Sequence, residues 1–213
     1  MIEAKNIHKH YGKQYVLKGI NLFIKKGDFI AIMGRSGSGK TTLLNILAGL
    51  DSPDNGSVAV NGTLLDFANE NKMTEYRQKK VGFIFQSFNL LDNLTVFDNV
   101  AIPLLLNNIY SSQRVLTMLD KTGLIGLKNK LPAQLSGGEK QRCAIARALI
   151  HDPEIIFADE PTGSLDSETA DEILRLLKNF HQKLNTTILM VTHDNLVAKW
   201  ADYTIQINDG ALT

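Results

Sequence analysis

The chain has almost no cysteine. Cys143 is the only one in 213 residues, so an internal disulfide is impossible and the composition fits a reducing compartment. Its position in a helical run predicts a packed thiol rather than a nucleophile. An excess of one charge is also missing: 23 Lys+Arg face 22 Asp+Glu, a formal balance of +1. This balance excludes neither nucleic-acid nor membrane partners, but it supplies no argument for a strongly basic tract; no nucleic-acid partner is among those expected. Long apolar runs are absent too. The longest, Val100 to Leu106, has seven residues and contains Pro103, whereas a membrane-spanning helix needs ~18. Met1-Ile2-Glu3-Ala4-Lys5-Asn6 carries neither the apolar core of a secretion signal nor a lipidation pattern. No repeat, low-complexity tract or flexible linker interrupts the chain. The expectation is a soluble, cytosolic polypeptide of one domain, with ample core for its size, that reaches a membrane only through a partner.

Glycine, by contrast, is concentrated where it carries meaning. Gly34-Arg35-Ser36-Gly37-Ser38-Gly39-Lys40-Thr41 fits the spacing G-x-x-x-x-G-K-S/T. Glycines let such a loop wrap so that several backbone N–H groups face one anion. Lys40 then reaches the β- and γ-phosphates, and the Thr41 hydroxyl is offered to Mg²⁺. Phe29–Met33 before the loop reads as a buried strand, and Thr42–Ala48 after it has helical spacing stopped by Gly49. A strand, a glycine loop and a helix N-terminus form an arrangement that receives phosphate. The chain is therefore expected to bind a nucleoside triphosphate.

Residues 2–33 alternate in a strand-like way, and Asn55-Gly56 and Asn61-Gly62 bracket a hairpin signal over Ser57–Val60. These pieces predict a small antiparallel sheet beside the phosphate-loop strand. Val81–Phe85 reads as another buried strand. Helical patterns then cover Val96–Leu106, Ser111–Thr122 and Glu139–Ile150. After them come a strand at Ile155–Ala158, a helix at Glu168–His181, a strand at Thr187–Val191, a helix at Asn195–Ala201 and a strand at Tyr203–Ile207. Alternation of this kind predicts an α/β fold with a mostly parallel core sheet. The predicted division is a core with its antiparallel β subdomain over about 1–87 and 151–213, and an inserted α-helical lobe over about 88–150.

Ile155–Ala158 leads into Asp159-Glu160. Ligands of open α/β sheets sit at the carboxyl ends of strands, so Asp159 is expected beside the phosphate loop as a Mg²⁺ ligand. Glu160, turned away by strand alternation, is placed to polarise the water that attacks the γ-phosphate. Leu135-Ser136-Gly137-Gly138-Glu139-Lys140-Gln141-Arg142 offers a second anion site: a hydroxyl, free N–H groups and the positive end of a helix.

That octapeptide resembles the signature motif of ATP-binding cassette (ABC) transporters, and the rest of the pattern is similar over nearly the whole chain. The resemblance implies the P-loop ATPase fold of those cassettes, with ATP and Mg²⁺ as ligands. It implies that Tyr11 stacks on adenine, with Tyr15 as the competing aromatic, and that the loop from Gly34 to Thr42 holds the phosphates. Gln86 resembles the glutamine that reaches Mg²⁺ and the attacking water, and His193 the histidine that contacts the γ-phosphate. Ser164-Leu165-Asp166 resembles the loop facing an opposing subunit; an ordinary helix cap at Asp166 is the plainer reading. Ser136, Gly137 and Gly138 would close over the ATP held by a second copy, head to tail. Phe85–Leu91 and Leu94–Val100 resemble the macrolide-exporter and lipoprotein-releasing group, in which a permease docks on the cassette. Phe88, Leu90, Leu91, Leu94 and Phe97 would line that docking groove, or else pack inside the helical lobe. The group implies a cytoplasmic location, peripheral at the inner membrane face. Regulation of a membrane complex, as by the cell-division cassette, and amino-acid import stay open as alternatives.

Overall fold

The computed structural model describes all residues from Met1 to Thr213. In chain order they form β1 (Ile2–Tyr11), β2 (Gln14–Ile24), β3 (Phe29–Met33), α1 (Lys40–Leu47), β4 (Asn55–Val60), β5 (Thr63–Leu64), α2 (Glu70–Lys80) and β6 (Val81–Ile84). Then come α3 (Val96–Leu106), α4 (Ser112–Lys121), α5 (Gly137–Leu149), β7 (Ile155–Asp159), α6 (Ser167–Leu184), β8 (Thr187–Val191), α7 (Asn195–Ala198), β9 (Tyr203–Asn208) and β10 (Ala211–Leu212).

A strand that is apolar at every position needs cover on both faces. β3 and β8 are buried throughout, and they lie centrally in a six-stranded sheet of order β10-β9-β3-β8-β7-β6. Every pairing in it is parallel except β9 with β10. Side-chain alternation then sorts the residues into two cores. Ile30, Ile32, Ile155, Phe157, Leu189 and Val191 pack toward α1 and the antiparallel sheet. Phe29, Ala31, Ile156, Ala158, Ile188 and Met190 pack toward the helices α3 to α6. No helix is long and apolar enough to cross a membrane.

The second sheet is antiparallel, with order β2-β1-β4-β5. The hairpin expected at Asn61-Gly62 joins β4 to β5, with φ of +52° and +78° at the two turn residues, as a primed turn requires. Phe29–Met33, the phosphate-loop strand, lies in the parallel sheet, with the small antiparallel sheet beside it as the pattern predicts. Helix limits match the sequence pattern closely except at two C-termini: α6 runs on to Leu184 rather than stopping at His181, and α7 ends at Ala198 rather than Ala201.

One element escapes the pattern. α2 has no apolar stripe: in Glu70–Lys80 only Met73 and Tyr76 are buried. It is held by other means. The Asn69 side chain caps its Lys72 N–H at 3.2 Å, and the Tyr76 hydroxyl donates to the Leu47 carbonyl at 2.9 Å. Cys143 is buried and its thiol pushed up to about 12 by that burial, so it is a packing residue.

Carboxylates brace the edges of the core. Asp202 accepts from the Phe29 N–H at 2.9 Å and from Lys178 at 2.8 Å; Glu154 accepts from Asn61 at 2.6 Å and also from Lys80. Partial burial pushes both groups up, but these hydrogen bonds and the nearby lysines hold both below the ordinary carboxylate range. A carboxyl with a depressed native pKa contributes stability above its unfolded value and loses it as pH falls through the native one. Urea midpoints should therefore be flat from neutral pH to about 5 and fall steeply below about pH 4. The double variant Asp202→Asn, Glu154→Gln should show a lower midpoint at pH 7 and a shallower acid decline.

Candidate functional site

β3 stops at Met33 and α1 starts at Lys40, so the loop 34–39 leaves the carboxyl end of the central sheet. The glycines are dictated by space and by φ. A Cβ at Gly34 would stand 2.3 Å from the Ile207 carbonyl oxygen, and one at Gly39 would stand 2.8 Å from the Val16 carbonyl oxygen. Gly37 meets nothing, but its φ is +77°, which favours glycine. Gly39 precedes α1 at φ +100° with no side-chain cap, leaving the first helical N–H groups for another acceptor. Ser38 Oγ is buried behind the loop and makes no hydrogen bond. Lys40, 8% exposed, donates to the Gly34 and Arg35 carbonyls at 2.9 and 3.0 Å, which leaves one ammonium proton for an acceptor in the cleft. Uncapped N–H groups and a part-satisfied ammonium suit a polyphosphate.

β7 carries Asp159 at its carboxyl end, in step with Ile155 and Phe157 and so on the α1 side of the sheet. The Thr41 hydroxyl donates to Asp159 Oδ1 at 3.1 Å. Burial raises the Asp159 carboxyl above its usual range, with the Glu160 charge adding to it against opposing effects from Thr41 and Lys40. Hard oxygen donors of this kind fit Mg²⁺: Thr41 and Gln86 line one cleft, and Asp159 is hydrogen-bonded to Thr41.

Glu160 points away from Asp159, but not by strand alternation. β7 ends at Asp159, and Glu160 turns through a left-handed backbone at φ +46°. Apart from Phe88, every other non-glycine residue at positive φ is Asn or Asp, the types that tolerate it. The turn is held by Glu160 N–H to the Val191 carbonyl and Gly163 N–H to the Glu160 carbonyl, each at 3.0 Å. It brings Glu160 Oε1 to 2.7 Å from His193 Nδ1. Gln86 closes the same corner, with its amide nitrogen 3.3 Å from where a Cβ on Gly163 would be.

A single cleft of about 590 Å³ is lined by Tyr11, Ser36, Gly37, Gly39, Lys40, Thr41, Thr42, Gln86, Glu160 and His193, while Asp159 is joined to it through its bond to Thr41 rather than lining it. Gly34 and Ser38 lie behind it, and the Arg35 side chain faces outward, so Arg35 takes part only through its backbone. Tyr11 lines the cleft and Tyr15 does not, which favours Tyr11 as the aromatic candidate. Gln14 and Val16 also line it, and neither has any signal in the sequence.

The signature residues form a second cleft of about 340 Å³ that shares no residue with the first. Ser136 caps α5 reciprocally: its Oγ accepts the Glu139 N–H at 3.3 Å and Glu139 Oε2 accepts the Ser136 N–H at 2.7 Å. A Cβ on Gly138 would sit 2.6 Å from Thr169 Cγ2, so only glycine lets α5 approach α6 here. Ser164, Leu165 and Asp166 join this cleft with Arg142 of the same octapeptide, and with Thr169 and Glu172, which the sequence did not single out. Asp166 is a helix cap, with Oδ1 2.9 Å from the Thr169 N–H and Oδ2 2.8 Å from the Thr169 hydroxyl.

A third groove, about 420 Å³, runs between α2, β6, α3 and α5. Its apolar lining includes Phe83, Phe85, Pro103 and Leu106, and none of Phe88, Leu90, Leu91, Leu94 and Phe97 lines it. Leu90 and Phe97 pack against the core of the helical layer.

A phosphate loop between a buried parallel strand and a helix, facing a carboxylate on a neighbouring strand, defines a P-loop nucleotide-binding domain. Residues 17–163 match the family model described as ABC transporter. The chain belongs to that family and is an ATPase, the ATP-binding subunit of a transporter. It is 46% identical over 219 residues to the bacitracin export ATP-binding protein BceA of Halalkalibacterium halodurans, covering 100% of this chain and 87% of that one. It is 42% identical over 215 residues to the lipoprotein-releasing system ATP-binding protein LolD of Bacteroides thetaiotaomicron, covering 100% of this chain and 99% of the other. Among solved structures, the dimeric post-hydrolysis state of the cassette MJ0796 bound to ADP and Pi matches with a TM-score of 0.91 at 41% identity, over 100% of this chain and 96% of that one.

Proposed function

We propose that this chain drives a membrane permease of the macrolide, peptide or lipoprotein export group, closing head to tail with a second copy around two MgATP. One observation carries the proposal: the phosphate-loop cleft and the signature cleft have no residue in common. Each is half of a site, and two copies facing each other complete both halves. The names of the export and lipoprotein-releasing relatives, and the dimeric state of the similar cassette, support this reading.

In the proposed cycle the loop from Gly34 to Thr42 holds the triphosphate and Tyr11 stacks on the base. Thr41, Asp159 and Gln86 would hold Mg²⁺, which supplies charge neutralisation at the phosphates when bound. Glu160 orients the attacking water and takes its proton, while His193 is positioned for the γ-phosphate. The partner copy's signature turn closes over the same nucleotide, and the segment about 88–150 moves as a lobe against the remainder. The groove lined by Phe83, Phe85, Pro103 and Leu106 receives the permease, which keeps the protein cytoplasmic at the inner membrane face.

Complementation tests the composite site. A chain with Glu160→Gln and a chain with Ser136→Arg are each expected to be inactive alone. Mixed in equal amounts, random pairing leaves half the dimers mixed, each with one intact site of two, so about a quarter of normal ATPase activity returns. A site complete within one chain would recover nothing on mixing, and that result would overturn the head-to-tail reading.

A further inference from the structure

Tyr11 is held more firmly than an exposed aromatic needs to be. Its hydroxyl donates to Asp51 Oδ2 at 2.6 Å. Asp51 Oδ1 in turn accepts from Lys9 Nζ at 2.7 Å and from the Ser52 N–H at 2.7 Å. Lys9 is only 7% exposed, and its ammonium also donates to the Ser52 carbonyl at 2.7 Å. The same ammonium stands 5.2 Å from the centroid of the Tyr11 ring, within cation–π reach of one face. Asp51 is itself fixed to the phosphate-loop helix, because the Leu50 and Asp51 N–H groups donate to the Asn45 carbonyl at 2.8 and 3.3 Å. Tyr11 remains 52% exposed and lines the phosphate-loop cleft, so the ring face opposite Lys9 is free to meet a ligand.

We propose that Asp51, held by Lys9, is a positioning residue that locks the Tyr11 ring in the plane on which the nucleobase stacks. This rests on the reading of Tyr11 as the base-stacking aromatic. The physical argument is preorganisation. β1, which carries Tyr11, belongs to the antiparallel sheet, while the phosphates are gripped by a loop of the parallel one. A ring free to swing loses rotamer entropy on stacking, whereas one already bound to a carboxylate anchored at the end of α1 does not. Burial and the Asp51 carboxylate push the Tyr11 phenol up, so it stays a donor to Asp51 throughout the neutral range. Part-burial pushes Asp51 up, but its bonds from Lys9, Tyr11 and Ser52 outweigh this and keep it an anion.

The test compares equilibrium binding of ATP with that of inorganic tripolyphosphate, which has the phosphates and no base. Tyr11→Phe removes the hydroxyl and keeps both the ring and the Lys9–Asp51 pair, so the fold is undisturbed. It is expected to weaken ATP binding about three- to tenfold and to leave tripolyphosphate unchanged. Asp51→Ala should do the same, and the double variant should lose no more than either single one. Tyr11→Ala should lose more than Tyr11→Phe, because stacking goes as well. If Tyr11→Ala weakens ATP binding but Tyr11→Phe and Asp51→Ala do not, the positioning role is wrong while the stacking reading stands. If Tyr11→Ala has no effect on ATP relative to tripolyphosphate, both are wrong. If Asp51→Ala weakens both ligands equally, Asp51 merely supports the loop and the inference fails.

Discussion

Replacing Glu160 with glutamine is expected to slow ATP hydrolysis by about a hundred- to a thousandfold while leaving MgATP binding within about twofold. Glutamine has nearly the same shape and can keep a hydrogen bond to His193, whose Nδ1 lies 2.7 Å from Glu160 Oε1. The left-handed turn at φ +46° is a backbone cost that both residues bear, so the fold should be unaffected. What disappears is the carboxylate proposed to accept a proton as water attacks. Lys40, Thr41 and Asp159 are untouched, so the ground-state grip on the triphosphate persists. With the γ-phosphate uncleaved, the contacts proposed to hold two copies together should also persist. Light scattering should give a dimer mass for the variant in MgATP and a monomer mass in MgADP. Single-turnover phosphate release gives the rate. Normal turnover by this variant would remove Glu160 as the base.

How much could be read beforehand follows from how far apart the interacting residues lie. The phosphate loop is a local instruction: Gly34, Gly37, Gly39 and Lys40 sit within one turn, and spacing alone predicts what they build. The same is true of the Ser136 and Glu139 capping box and of the Asn61-Gly62 turn. Asp159 was legible because an apolar strand ending in a carboxylate has one obvious destination in a parallel sheet. Glu160 was found for a reason that does not hold, since positive φ at a glutamate leaves no mark in composition or period. α2 left none either, because two buried residues make no stripe and its hold on the core is the Tyr76 hydroxyl. Lys9 and Asp51 were invisible for a different reason. Their bond, like that of Tyr11 to Asp51, spans some forty positions (sequence separations of 42 and 40), and only the pairing of β1 with β4, which follows the α1 end that holds Asp51, brings them together. The groove lined by Phe83, Phe85, Pro103 and Leu106 left no mark either, because its residues come from separate elements, β6 and α3 among them.

Lys40→Ala should act at the opposite step, abolishing MgATP binding rather than its hydrolysis. A lysine ammonium about 4 Å from a phosphate charge is worth about 4 kcal/mol at an effective dielectric of 20, which is roughly a thousandfold in affinity. Local structure argues that the loss is one of ligand charge rather than of fold. Lys40 Nζ donates only to the Gly34 and Arg35 carbonyls, in the loop it belongs to. Those carbonyls can turn to water when the ammonium goes, and the glycine turns at Gly37 and Gly39 do not depend on it. The thermal midpoint without nucleotide should therefore shift little, while the rise in midpoint that MgATP gives the unmodified chain should vanish. Isothermal titration with MgATP supplies the affinity directly. Lys40→Arg separates charge from shape: a guanidinium keeps the positive charge but is too broad for a loop closed by Gly34 against Ile207. It should recover only part of the binding. Retention of affinity within about tenfold in Lys40→Ala would mean that the triphosphate is not held by this loop, and the Glu160 and Tyr11 assignments would fall with it.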